Sequence, residues 1–282
     1  MDAARLARLA PSNAVKVTNR HGSSRYVIVC DHASNFIPQE YGTLGLEPAA
    51  LTRHIAWDPG ALPVAQRLAA ALDAPLVESC ISRLVIDCNR PLDAPDLMVA
   101  VTVSEKTVIP GNQGLSLKER EARIALSWQP FHDAIEALVE ARLAAGLPTW
   151  LISVHSFTPM FKGIQRPWHV GIIHDDDSRL ASPLIVGLKR LDGVTVGINE
   201  PYSPADRVYY TLERHARSRG LPCAMIEIRN DEISEERGQS MWAGRLGDIL
   251  AGLAGSVEYK EEEAETAKAD VFDVRQRTFR GR

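Results

Sequence analysis

Four times in this 282-residue chain, an apolar run of β-forming residues stops on side chains that can do chemistry. "RYVIVC" runs into Asp31 and His32, and "SRLVIDCNRP" carries Asp87, Asn89 and Arg90. "WLISV" runs into His155, and "LPCAMI" into Glu227, Arg229 and Asp231. Two imidazoles at strand ends with a carboxylate nearby form a set that zinc accepts, because a catalytic zinc takes three nitrogen or oxygen ligands and keeps one position open for water. The available carboxylate is Asp58 in "HIAWDPGA", just upstream of the first helical stretch. Manganese or iron would suit the same ligands. Amide hydrolysis at such a centre needs a nucleophilic water, a stabilised oxyanion and a protonated leaving amine, since an amide ion is too basic to depart. Glu227 can carry that proton. It can equally pair with Arg229, because residues two apart on a strand share a face.

Those side chains have to be positioned by elements whose carboxyl ends converge. "RYVIVCDH" reads as a strand, and "ALPVAQRLAAALDA" as a helix with Val64, Leu68 and Leu72 at helical spacing. "PLVESCISRLVIDCNRP" reads as one or two strands. The long tract "SLKEREARIALSWQPFHDAIEALVEARLAAGLP" opens on Ser116 with Glu119 three residues on, and closes at Gly146 and Pro148, which predicts a capped helix. Strands follow at "WLISVHSF", "WHVGIIHD", "VTVGIN" and "LPCAMIEIRND". Helices are predicted near "SPLIVGLKRL", over "DRVYYTLERHARSRG" and at "QSMWAGRLGDILAGLAG". Such β/α alternation predicts an α/β fold, a mixed and mostly parallel sheet with helices on both faces, and such sheets bind ligands at strand carboxyl ends. The expected organisation is an N-terminal extension over 1–24, a single domain over 25–256 and a charged tail over 257–282.

Composition narrows the partners. A net charge of −4 and a pI near 6.1 argue against nucleic acid or an anionic membrane, and the expected partner is a small-molecule substrate. No apolar run approaches the ~20 residues a span needs, and "MDAARLARLAPSNAVKV" lacks the continuous hydrophobic stretch of a secretory signal, so a cytoplasmic location is expected. The four cysteines, Cys30, Cys80, Cys88 and Cys223, sit singly in apolar segments and read as buried reduced thiols. Oligomeric state is not written in these features.

The ordered blocks "DHASNFIP", "HIAWDPGA", "SRLVIDCNRP", "IPGN", "HSFTP", "NEPYS" and "IEIRND" resemble the N-formylglutamate amidohydrolase family. That resemblance implies a zinc-carboxypeptidase-like fold and hydrolysis of the N-formyl amide of an acidic amino acid to formate and the free amino acid, a step of amino-acid and histidine degradation. A more distant similarity, to zinc N-acetylmuramoyl-alanine amidases, rests on "SVH" at Ser153–His155 and on the late Glu227. It implies Zn2+ held by His32, Asp58 and His155, with Glu227 as the catalytic base. The second ligand is usually glutamate in those amidases and is Asp58 here, and His54 competes with it for that place.

The zinc carboxypeptidases resembled here hold a substrate carboxylate on an Asn-Arg pair, which implies that role for Asn89 and Arg90. Guanidinium suits it because its planar donors meet both oxygens. Arg83 is the residue proposed to polarise the scissile carbonyl, an ion pair with Asp87 or Glu78 being its other reading. Arg229 would grip a second carboxylate, and two such arginines would select a dicarboxylic substrate where one would accept many. Tyr202, in the turn-rich "NEPYSPADR", belongs to a segment that can close over substrate or be an ordinary loop. "HDDDSR" at 174–179 reads as a strand end followed by a helix cap, and His132, His169 and His215 read as structural. Two other readings stand beside the amidohydrolase. One is a related zinc peptidase or cell-wall amidase, disfavoured by the lack of an export signal. The other is a non-catalytic binder of the same fold, which would not need Glu227.

Overall fold

The computed structural model describes residues 14–103 and 106–253. The tail over 257–282 and residues 1–13 lie outside the described residues. Strands are β1 (Val15–Thr18), β2 (Tyr26–Cys30), β3 (Leu76–Ser79), β4 (Trp150–Phe157), β5 (Met160–Phe161), β6 (Ile164–Gln165), β7 (Val170–Ile173), β8 (Val196–Ile198) and β9 (Cys223–Arg229). Helices are α1 (Ala61–Leu72), α2 (Leu117–Arg123), α3 (Gln129–Ala144), α4 (Ala181–Lys189), α5 (Tyr210–His215) and α6 (236–253). A seven-stranded sheet runs β1-β3-β2-β4-β9-β7-β8, and β5 and β6 form a separate hairpin. The pairs β2/β3, β2/β4, β4/β9 and β7/β8 are parallel, while β1/β3 and β7/β9 are antiparallel. The sheet is therefore mixed and mostly parallel, as the alternation predicts.

Every residue of β2 is buried, because a strand covered on both faces has no polar side to show. Tyr26, Ile28 and Cys30 pack with Val64 and Leu68 of α1, Leu184 and Leu188 of α4, and Trp242 and Leu246 of α6. Val27 and Val29 point the other way, to Phe131, Ile135 and Leu138 of α3 and to Tyr209 and Leu212 around α5. Period-two alternation thus splits one apolar run between two cores. A third core, with Leu84, Ile86, Leu97, Met98, Ile109 and Trp128, lies under the long connection from β3 to α2.

The Ser116 capping box is present: the Ser116 side chain accepts from the Glu119 backbone N–H while the Glu119 carboxylate accepts from the Ser116 N–H. The tract it opens is interrupted by a π-helical turn at Ile124–Trp128 before α3.

Four expectations are corrected. The stretch 15–18, assigned to an extension, is the edge strand β1, held antiparallel to β3 and packed through Val15 and Val17. "SRLVIDCNRP" is not a strand, because its amides bond to loops: the Ser82 N–H donates to the Phe36 carbonyl and the Asp87 N–H to the Leu97 carbonyl. "DRVYYTLERHARSRG" gives only the short α5 and a 3-10 turn at Arg217–Arg219. The acidic turn of "HDDDSR" does not cap α4: its carboxylates accept from the Asp177 and Arg179 N–H groups, and α4 starts later at Ala181 without a side-chain cap.

Among the described residues, no helix is long and apolar enough to cross a membrane.

Candidate metal centre and its adjoining cavity

His32 follows the carboxyl end of β2, and His155 lies near that of β4, the adjacent parallel strand. Asp58 reaches them from the turn before α1: its N–H donates to the His32 carbonyl at 2.9 Å, and Gly60, at φ 82°, turns the chain into the helix. A Cβ at Gly60 would sit 2.3 Å from the Ile233 carbonyl oxygen, so the tight approach needs glycine for space as well as for conformation. One ligand-competent atom from each of His32, Asp58 and His155 lies within 4.8 Å of the others, and all three residues are buried. No other such group occurs among the described residues.

The two imidazoles are held alike. His155 Nδ1 is 2.9 Å and His32 Nδ1 3.4 Å from Asp58 Oδ2, so both Nδ1 atoms face one carboxylate oxygen. The far nitrogens are tethered to other carboxylates: His32 Nε2 to Asp87 at 2.7 Å, and His155 Nε2 to Asp31 at 3.0 Å. Ser153 Oγ and Thr211 Oγ1 donate to Asp31 and fix it. Metal-binding histidines characteristically give their second nitrogen to such a partner, which sets tautomer and ring direction. His32 Nδ1, by contrast, is buried without a hydrogen-bond partner, as is Glu227 Oε2. An orphaned nitrogen aimed at a carboxylate fits a cation better than it fits a closed hydrogen-bond network.

Burial lowers the His32 pKa to about 4, with help from the nearby Arg83 charge, so this imidazole is neutral and free to ligate. Burial also works against the charged form of His155, but the hydrogen bond and charge of Asp31, with Glu227 adding, hold it above its ordinary value. Asp31 and Asp87 lie well below the usual carboxylate range: burial opposes ionisation, and the histidine partners outweigh it.

Glu227 is paired with His155 in the β4–β9 register, so the two side chains leave the sheet on one face. Burial raises its pKa, against the lowering effects of His155 and Arg83. Arg83 pairs with the other oxygen of Asp58. His54, the competing ligand, stands 3.3 Å from that same oxygen, Oδ1, rather than beside the two histidines. Together these groups line a cavity of about 110 Å³ that Asn89, Arg90 and Tyr202 also reach.

Asn89 faces the cavity, but its side-chain amide donates to the Val208 carbonyl and accepts from the Thr211 N–H at 3.0 Å, tying down the 208–211 segment. Arg90 is held by Asp96 at 2.8 Å and by the carbonyls of Asn89 and Arg207. Arg229 is not among the residues lining either cavity: its guanidinium is taken up by Asp231 at 2.7 Å and Glu232 at 3.1 Å. Sharing a face with Glu227 did not bring it in, because it sits two positions further out along β9.

A second cavity of about 590 Å³ adjoins the first and shares His54, Arg83, Arg90, Tyr202 and Val208 with it. Arg166 lines it and was missed in the sequence, where "GIQRPWHV" offers no periodicity or motif to mark it. Asp31 and Asp87 were visible as acids at the ends of apolar runs, with "DH" marking Asp31, yet their contacts with the two histidines needed the geometry.

The family model of N-formylglutamate amidohydrolase matches residues 24–234. Among solved structures, a gene product, Atu2144, from Agrobacterium tumefaciens is 44% identical with a TM-score of 0.84, over 88% of this chain and 98% of that one. An N-formylglutamate amidohydrolase from Ralstonia eutropha JMP134 is 20% identical with a TM-score of 0.62, over 88% of this chain and 99% of that one, a likeness of fold. No curated protein matches the chain. With the match running from just before β2 to just past β9, the chain belongs to the N-formylglutamate amidohydrolase family.

Proposed function

We propose that this chain hydrolyses the N-formyl amide of an amino acid, N-formyl-L-glutamate being the substrate in the family's name, and releases formate and the free amino acid. The observation that carries the reading is the pair of Nδ1 atoms turned onto Asp58 while both far nitrogens rest on carboxylates. His32, Asp58 and His155 would hold a divalent cation, zinc by donor type. Such a cation supplies Lewis acidity, lowering the pKa of water toward ~7 and polarising a carbonyl.

The chain's own groups divide the remaining work. Glu227 Oε2, buried and unpartnered beside His155, accepts a proton from water and delivers it to the departing nitrogen. Its raised pKa brings it closer to the ideal for passing a proton both ways near neutrality. The guanidinium of Arg83, which lines the same cavity, would offset the negative charge that develops on the carbonyl oxygen, and the depressed pKa of His54 keeps that imidazole neutral, able to donate one hydrogen bond without adding charge. The small cavity suits a formyl group.

The test is metal analysis of the purified protein followed by assay with N-formyl-L-glutamate. Bound zinc with release of formate supports the reading. Metal-free protein that binds the substrate without turnover would refute it in favour of a binding protein. Cleavage of a muramoyl peptide with no formate release would refute it in favour of the cell-wall amidase.

A further inference from the structure

The chamber beside the metal cavity is larger than a formylated glutamate needs. At about 590 Å³ it falls within the ~300–1,000 Å³ of pockets that enclose drug-sized ligands. Its walls include Val99, Val103, Phe161, Ile164, Trp168 and Pro201. Ile164 is 72% exposed and Val103 59% exposed, so two apolar side chains at this chamber face water. A ligand with an apolar body would cover them.

Three guanidiniums line the two cavities, those of Arg83, Arg90 and Arg166. Arg83 pairs with Asp58 and Arg90 with Asp96. Arg166 has no carboxylate within ion-pair distance among the described residues, although it is only 6% exposed. Its hydrogen-bond partners are neutral. Its Nη1 donates to the Thr158 carbonyl at 3.3 Å, to Thr158 Oγ1 at 3.5 Å and to the Tyr202 hydroxyl at 3.3 Å. Its Cζ lies 4.6 Å from the Phe161 ring centroid, 4.9 Å from that of Tyr202 and 5.6 Å from that of Phe157. Aromatic faces orient a guanidinium and partly offset its charge, and whereas backbone carbonyls take up the equally buried Arg123 and Arg142, only Nη1 of Arg166 is so engaged among the described residues. Its Nε and Nη2, on the wall of the chamber, are donors that an anionic group of a ligand can meet.

One uncommitted guanidinium accounts for one carboxylate. A second carboxylate on the substrate would find Arg83 and Arg90 in the lining already paired, with Asp58 and Asp96, beside the acids Asp87, Glu200 and Asp206. We propose that Arg166 holds the α-carboxylate of the substrate and that the apolar chamber takes a large hydrophobic or aromatic side chain, so that the chain prefers N-formyl monocarboxylic amino acids such as N-formylphenylalanine to N-formylglutamate. This rests on the N-formyl amidohydrolase reading and narrows its substrate.

The experiment compares zinc-loaded wild-type protein on N-formylphenylalanine, N-formylleucine, N-formylglutamate and N-formylphenylalaninamide, with calorimetric binding of the first and last. The expected result is kcat/KM for the phenylalanine and leucine compounds about tenfold or more above that for glutamate. The amide should fall about a hundredfold below its acid, because it offers the guanidinium no charge. In Arg166→Met the acid and its amide should bind and react alike, and Arg166→Lys should recover part of the difference. Should the methionine variant fail to fold, the acid–amide comparison on wild type still decides. Turnover of N-formylglutamate with neither apolar substrate accepted would overturn this inference and leave the proposed function standing, as would equal rates for acid and amide. No formate from any of the compounds by protein with bound zinc would overturn the proposed function and this inference with it.

Discussion

Replacing Asp31 by Asn tests the metal centre where it is most specific, at the tether behind a ligand. One oxygen of Asp31 accepts from Ser153 Oγ at 2.7 Å and from His155 Nε2 at 3.0 Å, and the other accepts from Thr211. Asparagine keeps the shape. With its oxygen toward His155 and its NH2 toward the Thr211 hydroxyl, which can accept, both contacts survive and only the negative charge is lost. The His155 ring then stays in place but becomes a weaker donor at Nδ1. Loss of such a tether costs a factor of about 10–100 in metal affinity, or about 1.4–2.7 kcal/mol. The assay is zinc competition with a chromophoric chelator at fixed pH, with circular dichroism melts to confirm folding and Asp192→Asn, an exposed acid, as the control. The control should match wild type. An Asp31→Asn protein that melts like wild type and binds zinc within about threefold of it would refute the reasoning, since His155 would then not be a ligand supported through Asp31.

Further outcomes follow from the same coordinates. Glu227→Gln should lower kcat for the best N-formyl substrate by a factor of about 10²–10⁴ while zinc stays bound, and a loss under tenfold would remove Glu227 from proton transfer. The acid limb of the wild-type kcat profile should lie above the ordinary glutamate value of ~4.3, because burial raises this carboxyl and activity requires it ionised. His132 Nε2 contacts the Cys88 carbonyl at 3.0 Å and so carries the proton, which leaves Nδ1 to accept from His215 Nε2 at 2.8 Å. A second proton on His132 would break this pair, and one on His215 would leave a buried charge whose Nδ1 has no partner among the described residues; burial holds the two pKa values at about 4 and about 3. The unfolded chain therefore binds more protons below ~6.5, and stability should fall with pH from there toward 4 by up to about 1.4 kcal/mol per unit for each ring. Urea melts at pH 7, 6 and 5 that show no such slope would exclude a neutral pair. Ser116→Ala should cost about 1 kcal/mol, read as a shift in urea midpoint at unchanged m-value.

Local signals in the chain carried the elements, and through them much of the site. The all-apolar β2, the capping box at Ser116 and the two histidines at strand ends are decided by neighbours in sequence, so they could be read there. Asp58 was placed with them by its position just upstream of the first helix and by the ligand order of the amidases resembled. What escaped depends on distant partners. "LVIDC" has strand composition, yet its Asp87 amide finds the 97 loop, the Ser82 amide just before it finds the 36 loop, and the run becomes the wall of a third core. "IPGN" entered only as one block of the family pattern, whereas Asn112 donates to the Leu84 and Val99 carbonyls at 2.8 Å and accepts from Arg123 at 2.6 Å, holding that core together. Arg229 and Arg166 show the limit most plainly. Strand alternation gave Arg229 the correct face but not its distance from the metal cavity, and no local pattern distinguishes a guanidinium stacked on aromatics from one in solvent.

The place of the centre follows from the chain path. From β2, the connection through α1 leads to β3 on one side. From β3, the connection through α2 and α3 crosses back to β4 on the other side of β2. α1 packs on one face of the sheet and α3 on the opposite face, so the two connections part between β2 and β4 and leave a crevice at their carboxyl ends. His32 and His155 flank that crevice, with ring centroids 4.9 Å apart, and Asp58 enters it from the start of α1. β9 extends the same row: its parallel register with β4 sets Glu227 beside His155. β7 then runs antiparallel to β9, and the β5–β6 hairpin before it brings Phe161, Ile164 and Arg166 to the mouth of the crevice. The sheet topology thus sets the two candidate histidine ligands and Glu227 at the ends of adjoining parallel strands, with Asp58 added from the turn before α1, and leaves the proposed contact with the rest of the substrate to a hairpin outside the sheet. Substitutions in that hairpin can change which amino acid is accepted without moving the groups that would cut the amide.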